Sequence, residues 1–164
     1  MDIDSLISDN QRSAIKYLIE LFDKNNIPYQ VTGGLAAICY GAKRPLYDID
    51  IDVENKSIPL LQKLLKQYIV DDYHHYRDGF FDMYLIKLDI NGVSVDISRI
   101  ENAYCLKNGK KLKIGSNIAN SHIVNILGMN IQVQDRNELI EYKLMVGRDT
   151  DLLDVREMKS VISS

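Results

Sequence analysis

The sequence predicts an α+β domain in which helices flank a central mixed β-sheet. Three observations predict it. Apolar residues recur at helical spacing near both ends of the chain, residues 48–53 alternate strictly between acidic and apolar side chains, and Asn91-Gly92 separates two β-prone runs. The 164 residues suit one domain spanning 1–164, and nearly half of them are apolar, enough for a core that needs no disulfide or structural metal.

Taken in order, Ser8 or Asp9 caps a first helix whose apolar face is Ile15, Leu18, Ile19 and Phe22, and Asn25, Asn26 and Pro28 end it. Tyr29 to Thr32 is a short strand, Gly33-Gly34 breaks it, and Leu35 to Tyr40 is a short apolar helix ending at Gly41. Lys43 to Tyr47 is a loop. Asp48 to Val53 is a half-buried strand with Asp48, Asp50 and Asp52 on one face. Ile58, Leu61, Leu64, Leu65 and Tyr68 mark a third helix, and the polar run Asp71 to Gly79 reads as a turn or loop. Phe80 to Ile90 and Val93 to Ile97 form a hairpin around Asn91-Gly92. Lys107 to Lys113 is an exposed turn around Asn108-Gly109, and Ile131 to Val133 a short strand. Glu138 to Val146 and Leu152 to Val161 are C-terminal helices.

Composition narrows the function classes. The net charge of −3 argues against a surface built as a whole for nucleic acid, although Lys107, Lys110, Lys111 and Lys113 form a local basic patch that leaves RNA open as a partner. Cys39 and Cys105 show no metal or disulfide spacing, which fits a reducing cytoplasmic setting. The acidic Met1 to Leu6 segment is unlike a signal peptide, and no apolar run is long enough to span a bilayer, so no membrane association is expected. His74-His75 beside Asp71 and Asp72 reads as a loop, because adjacent side chains on an extended segment point apart. Asp151 and Asp154 read as caps of the last helix that pair with Arg148 or Arg156.

The chemistry concentrates in Gly33-Gly34, thirteen intervening residues, and then Asp48-Ile49-Asp50. Alternation aims both carboxylates the same way, and a divalent cation relieves their repulsion. Mg²⁺ is usually held by one or two carboxylates plus substrate phosphates. The bare Gly-Gly turn before a helix lets phosphate oxygens approach backbone N–H groups. Asp96, polar between Val95 and Ile97, supplies a third acid for a two-ion site if its strand lies beside the first.

These features together resemble the polymerase β-type nucleotidyltransferase superfamily. The segments Thr32-Gly33-Gly34-Leu35-Ala36-Ala37 and Arg44-Pro45-Leu46-Tyr47-Asp48-Ile49-Asp50-Ile51-Asp52 are similar to its small antibiotic-modifying members of the lincosamide type. They also resemble toxin-like nucleotidyltransferases of abortive-infection systems. Val95-Asp96-Ile97 fits the third acid. Lys143, Arg148, Asp151 and Asp154 resemble the helix pair that closes many such domains. The resemblance implies a nucleotidyltransferase fold and transfer of a nucleoside monophosphate from an NTP with Mg²⁺, or Mn²⁺ as the alternative ion. The acceptor would be a hydroxyl of an antibiotic-like small molecule or of a macromolecule such as tRNA or protein. An inactive binding module or a toxin–antitoxin component is the competing reading, and a homodimer is left open.

Residue by residue, the resemblance implies metal binding and catalysis by Asp48, Asp50 and Asp96, and nucleotide binding by Gly33, Gly34, Arg44, Lys143 and Arg148. Leu46 departs from the Thr often found two residues before the first acid. The general base is unplaced, with Asp52, Asp82 and Glu101 as candidates.

Overall fold

The computed structural model describes residues 2–161. Met1, the first residue of the acidic segment read as unlike a signal peptide, and residues 162–164 of the expected domain lie outside the described residues. Helix α1 (Asp9–Lys24) opens with a capping box between Ser8 and Gln11 and buries Ala14, Ile15, Leu18, Ile19 and Phe22. It is followed by β1 (Tyr29–Thr32), α2 (Gly33–Cys39), β2 (Ile49–Val53) and α3 (Ile58–Leu64). Next come β3 (Ile69–Arg77), β4 (Phe81–Ile90), β5 (Val93–Arg99), β6 (Tyr104–Lys107) and β7 (Lys110–Lys113). The hairpin β8 (His122–Ile126) and β9 (Met129–Val133) precedes α4 (Arg136–Val146) and α5 (Asp149–Ser160).

Among the described residues, nine strands form one mixed sheet in the order β7-β6-β4-β5-β2-β1-β9-β8, with β3 on the other side of β4. Two pairings are parallel, β2 with β5 and β1 with β9. The parallel pairing of β2 with β5 sets Asp50 directly beside Asp96. Alternation sends Ile49, Ile51, Val53, Val95, Ile97, Ile86 and Leu88 into one core with the apolar face of α1, while the acids face the other way. This is the predicted α+β architecture.

One local expectation is corrected and two are extended. Asp71 to Gly79 is not a loop, because β3 occupies Ile69–Arg77 as an antiparallel partner of β4. It carries a mostly polar, exposed pattern that hides a strand from a hydrophobicity reading. His74 and His75 therefore sit in a strand and point to opposite faces. Lys107 to Lys113 is a full hairpin around Asn108-Gly109, whose positive φ values match a type I′ turn. Finally, β8 and β9 form a hairpin through Leu127-Gly128. Leu127 takes φ +57°, which a γ-branched residue seldom adopts, so the turn carries no recognisable signal.

Candidate active site

Strand register lays four polar side chains in one row across the sheet: Lys87 on β4, Asp96 on β5, Asp50 on β2 and Thr32 on β1. The next row on the same face holds Leu85, Ser98, Asp52 and Gln30. Asp48, just ahead of β2, joins Asp50, Asp52 and Asp96 around a cavity of about 340 Å³. Burial, followed by the charges of Asp96, Asp48 and Asp52, pushes the Asp50 carboxyl up to about 7. Burial pushes Asp52 up to about 6, although Gln30 Nε2 donates to its Oδ2 over 3.0 Å. Asp96 is also raised by burial, and Lys87 opposes the rise.

This crowding of hard oxygen donors fits a divalent cation that completes its shell with phosphate oxygens. The fit lies in donor chemistry, since no three His, Cys, Asp or Glu side chains among the described residues close around a common point.

The glycine turn is shaped by the same carboxylate. Gly33 has φ +59°, and a Cβ there would run into the Asp50 carboxylate. Gly34 faces Arg44, whose Nη2 would lie 3.3 Å from an added Cβ. Gly33→Ala should therefore lose about 1–3 kcal/mol through strain and collision, and Gly34→Ala clearly less. Urea unfolding of the two variants checks this, and equal midpoints would contradict it.

The other cavity wall is α4 and α5. Lys143 is only 2% exposed, and its Nζ donates to Asp154 Oδ2 at 2.9 Å and to Asp151 Oδ1 at 3.5 Å. Arg44 grips Asp154 with two bonds, Nε to Oδ1 at 2.8 Å and Nη2 to Oδ2 at 2.9 Å. Arg148 Nε donates to Asp151 Oδ2 at 2.7 Å, and its guanidinium lies 5.3 Å from the centre of the Phe81 ring. Asp154 is thus no helix cap; it is a fully buried hub, and Asp151 caps α5 while also holding Lys143 and Arg148. All three cations line the cavity, and each is ion-paired to Asp151 or Asp154, so two buried carboxylates hold three positive charges.

The sequence profile of the aminoglycoside-2''-adenylyltransferase family matches residues 14–158. The chain belongs to this family. Its fold is shared with a candidate nucleotidyltransferase from Thermotoga maritima, at a TM-score of 0.67 and 17% identity over 92% of this chain and 94% of that one. The lincosamide antibiotic adenylyltransferase LnuA, solved with lincomycin, superposes at TM-score 0.61 and 17% identity, covering 95% and 99%. ANT(2'')-Ia in complex with adenylyl-2''-tobramycin gives 0.62 and 15%, covering 92% and 88%. At these identities the likeness is one of fold. No curated protein shows a significant sequence match. The chain is thus a nucleotidyltransferase-family protein of the aminoglycoside-2''-adenylyltransferase type.

Within this family member, the structure brings Gly33, Gly34, Arg44, Asp48, Asp50, Asp96, Lys143 and Arg148 to one cavity. Two candidate bases are excluded by position. Asp82 points to the opposite sheet face, where His75 Nε2 lies 2.7 Å and Lys111 Nζ 3.5 Å from its carboxylate. Glu101 accepts from the Asn55 backbone N–H at 2.9 Å and does not line the cavity. Asp52 does. Leu46, the departure from the usual Thr, is buried in the core beneath Gly34.

Sequence reasoning missed Lys87, although counting back from the Asn91-Gly92 turn puts it opposite Asp96. It also missed the chain in which Thr32 Oγ1 donates to Gln134 Oε1 at 2.6 Å and Gln134 Nε2 to Ser116 Oγ at 3.2 Å. That link joins residues far apart in sequence and has no local signal. Cys39 is no nucleophile candidate, since burial pushes its thiol up to about 12.

Among the described residues, no helix is long and apolar enough to cross a membrane.

Proposed function

We propose that this chain transfers a nucleoside monophosphate from an NTP to a hydroxyl of a small, antibiotic-like acceptor, with Mg²⁺ (Mn²⁺ as the alternative) held at Asp48, Asp50 and Asp96. The observation that carries this reading is the direct pairing of Asp50 with Asp96 beside the Gly33 turn, where a Cβ would strike the Asp50 carboxylate. Family membership and the antibiotic-bound state of LnuA support the acceptor class.

In this reading the acceptor oxygen attacks the α-phosphorus in line. The bond from that phosphorus to the bridging oxygen breaks, and pyrophosphate leaves. The acceptor proton passes to a cavity carboxylate, for which Asp52 is the candidate still facing the cavity. The cation supplies neutralisation of phosphate charge and polarisation of the reacting oxygens. Gly33 keeps the approach to Asp50 free of a side chain, and Gly34 does the same beside the Arg44 guanidinium. Arg44 and Arg148, each already tied to a buried aspartate, offer their remaining N–H groups as fixed donors rather than as free charges.

Calorimetric titration of each NTP, with Mg²⁺ and then with EDTA, tests the donor site on wild type and on Asp48→Ala/Asp50→Ala. Binding should require both the ion and the aspartates. Binding of an NTP that is equally tight in EDTA, or equally tight to the double variant, would overturn the assignment.

A further inference from the structure

We propose that Lys87 is a positioning residue that holds the place of one cation at Asp96. The nucleotide-free site then takes a single divalent ion at Asp48 and Asp50, and Asp96 joins the metal-binding set, with a second ion, only when the Lys87 ammonium is displaced. This rests on the nucleotidyltransferase reading above.

Five cationic side chains line the cavity: Arg44, Lys87, Arg99, Lys143 and Arg148. Arg44, Lys143 and Arg148 are each ion-paired to Asp154 or Asp151, away from the three proposed metal-binding acids. Arg99 bonds to the Glu101 carbonyl and the Tyr73 hydroxyl, and lies 4.0 Å from the centre of the Tyr84 ring. Among the described residues lining the cavity, Lys87 alone pairs with one of the three proposed metal-binding acids.

That pairing is built into the fold. Antiparallel register puts Lys87 directly opposite Asp96. Its Nζ lies 3.2 Å from Oδ1 and 3.5 Å from Oδ2, so the ammonium straddles both oxygens that an incoming ion would use. On its other side the Tyr76 ring centre is 5.3 Å away, and the Tyr76 hydroxyl is anchored on Asp78 at 2.6 Å. Asp48 and Asp50 have no such counter-charge among the ion pairs of the described residues. Two cations at Asp96 would repel each other strongly at this distance. The Lys87 side chain is 37% exposed and can swing into solvent, so the arrangement is a competition and not a permanent block.

Mn²⁺ alone, titrated into the full chain and followed by the electron paramagnetic resonance of free ion, measures the number of ions bound. Wild type should bind one ion. Lys87→Met should gain a second, with affinity at least roughly tenfold tighter than any second wild-type site, a step of about 1.4 kcal/mol. Lys87→Gln should behave like Lys87→Met, Lys87→Arg like wild type, and Lys87→Met/Asp96→Asn should lose the added ion. Loss of Mn²⁺ binding in every protein, wild type included, would overturn the metal reading of the whole site along with this inference. Equal stoichiometry and affinity in wild type, Lys87→Met and Lys87→Gln would overturn the role of Lys87 alone.

Discussion

Asp50→Asn is expected to lower nucleotidyl transfer by roughly three orders of magnitude or more and, at the same time, to raise the melting temperature of the metal-free protein. Both effects have one origin. Asp50 is half-buried beside Asp96 and near Asp48 and Asp52, and its carboxyl is pushed up to about 7. An ordinary carboxyl titrates near about 4. The folded state therefore binds the proton more tightly than the unfolded state. Whatever stability Asp50 contributes is fully present below about pH 4 and is lost as pH rises through about 7. Above that, the ionised group works against the fold. Replacing it by the isosteric amide should return on the order of 2 kcal/mol at pH 8 after allowance for partial exposure, or roughly 4–8 °C in Tm. The gain should shrink at pH 5, where the wild-type group already holds its proton. Thermal melts at both pH values in EDTA, alongside turnover with Mg²⁺, provide the check. A variant that melts below wild type at pH 8, or that keeps near-normal turnover, would show that Asp50 is not a strained cation ligand.

The largest structural loss is expected at Asp154. Its carboxylate is fully buried and serves Arg44 and Lys143 together. Asp154→Ala leaves Lys143, 2% exposed, with only Asp151 at 3.5 Å. Stranding a buried charge in this way costs about 3–5 kcal/mol. Lys143→Met/Asp154→Leu should cost less than Asp154→Ala alone, because no buried ammonium is then left without its main partner. The pH dependence runs opposite to that of Asp50. Burial alone would raise Asp154, but the bonds from Arg44 and Lys143 outweigh it and hold the group below the ordinary range. Its contribution is therefore present above the unfolded value of about 4 and fades as pH falls through the lower, folded value. The penalty of Asp154→Ala should be large at pH 7, begin to shrink only as pH falls below about 4, and become small below the lower, folded value. Urea unfolding across that range measures it, and a penalty independent of pH would mean lost packing and not a lost ion pair.

The contrast between these two aspartates shows what a sequence makes legible. Asp48, Asp50 and Asp96 were readable because alternation fixes which way a strand residue points, and Gly33-Gly34 because bare backbone is rare ahead of an apolar helix. The first helix was readable to its cap, since Ser8 and Gln11 carry the capping pattern locally. Asp154 and Lys143 were not legible as a buried pair. Their helical spacing is equally consistent with a solvated face, and only the packing of α4 and α5 against Arg44 decides it. The strand at Ile69–Arg77 was missed for a related reason: it is a polar edge held mainly by backbone pairing to β4. The exclusion of Asp82 likewise depended on that pairing, because β3 and β6–β7 bring His75 and Lys111 to the far face.

The parallel union of β2 with β5 also bears on how the chain reaches this structure. The hairpins β4–β5 and β6–β7 join neighbours through two-residue turns and can close within microseconds. On those timescales Asp96 is expected to meet Lys87 early, on the same ribbon. Asp50 reaches it only when β2 docks alongside β5, across the intervening α3, β3 and β4. Closing that long loop spends chain entropy before any contact repays it, and it does so while bringing like charges together. On this topology, completion of the acidic row is expected to be a late event of folding.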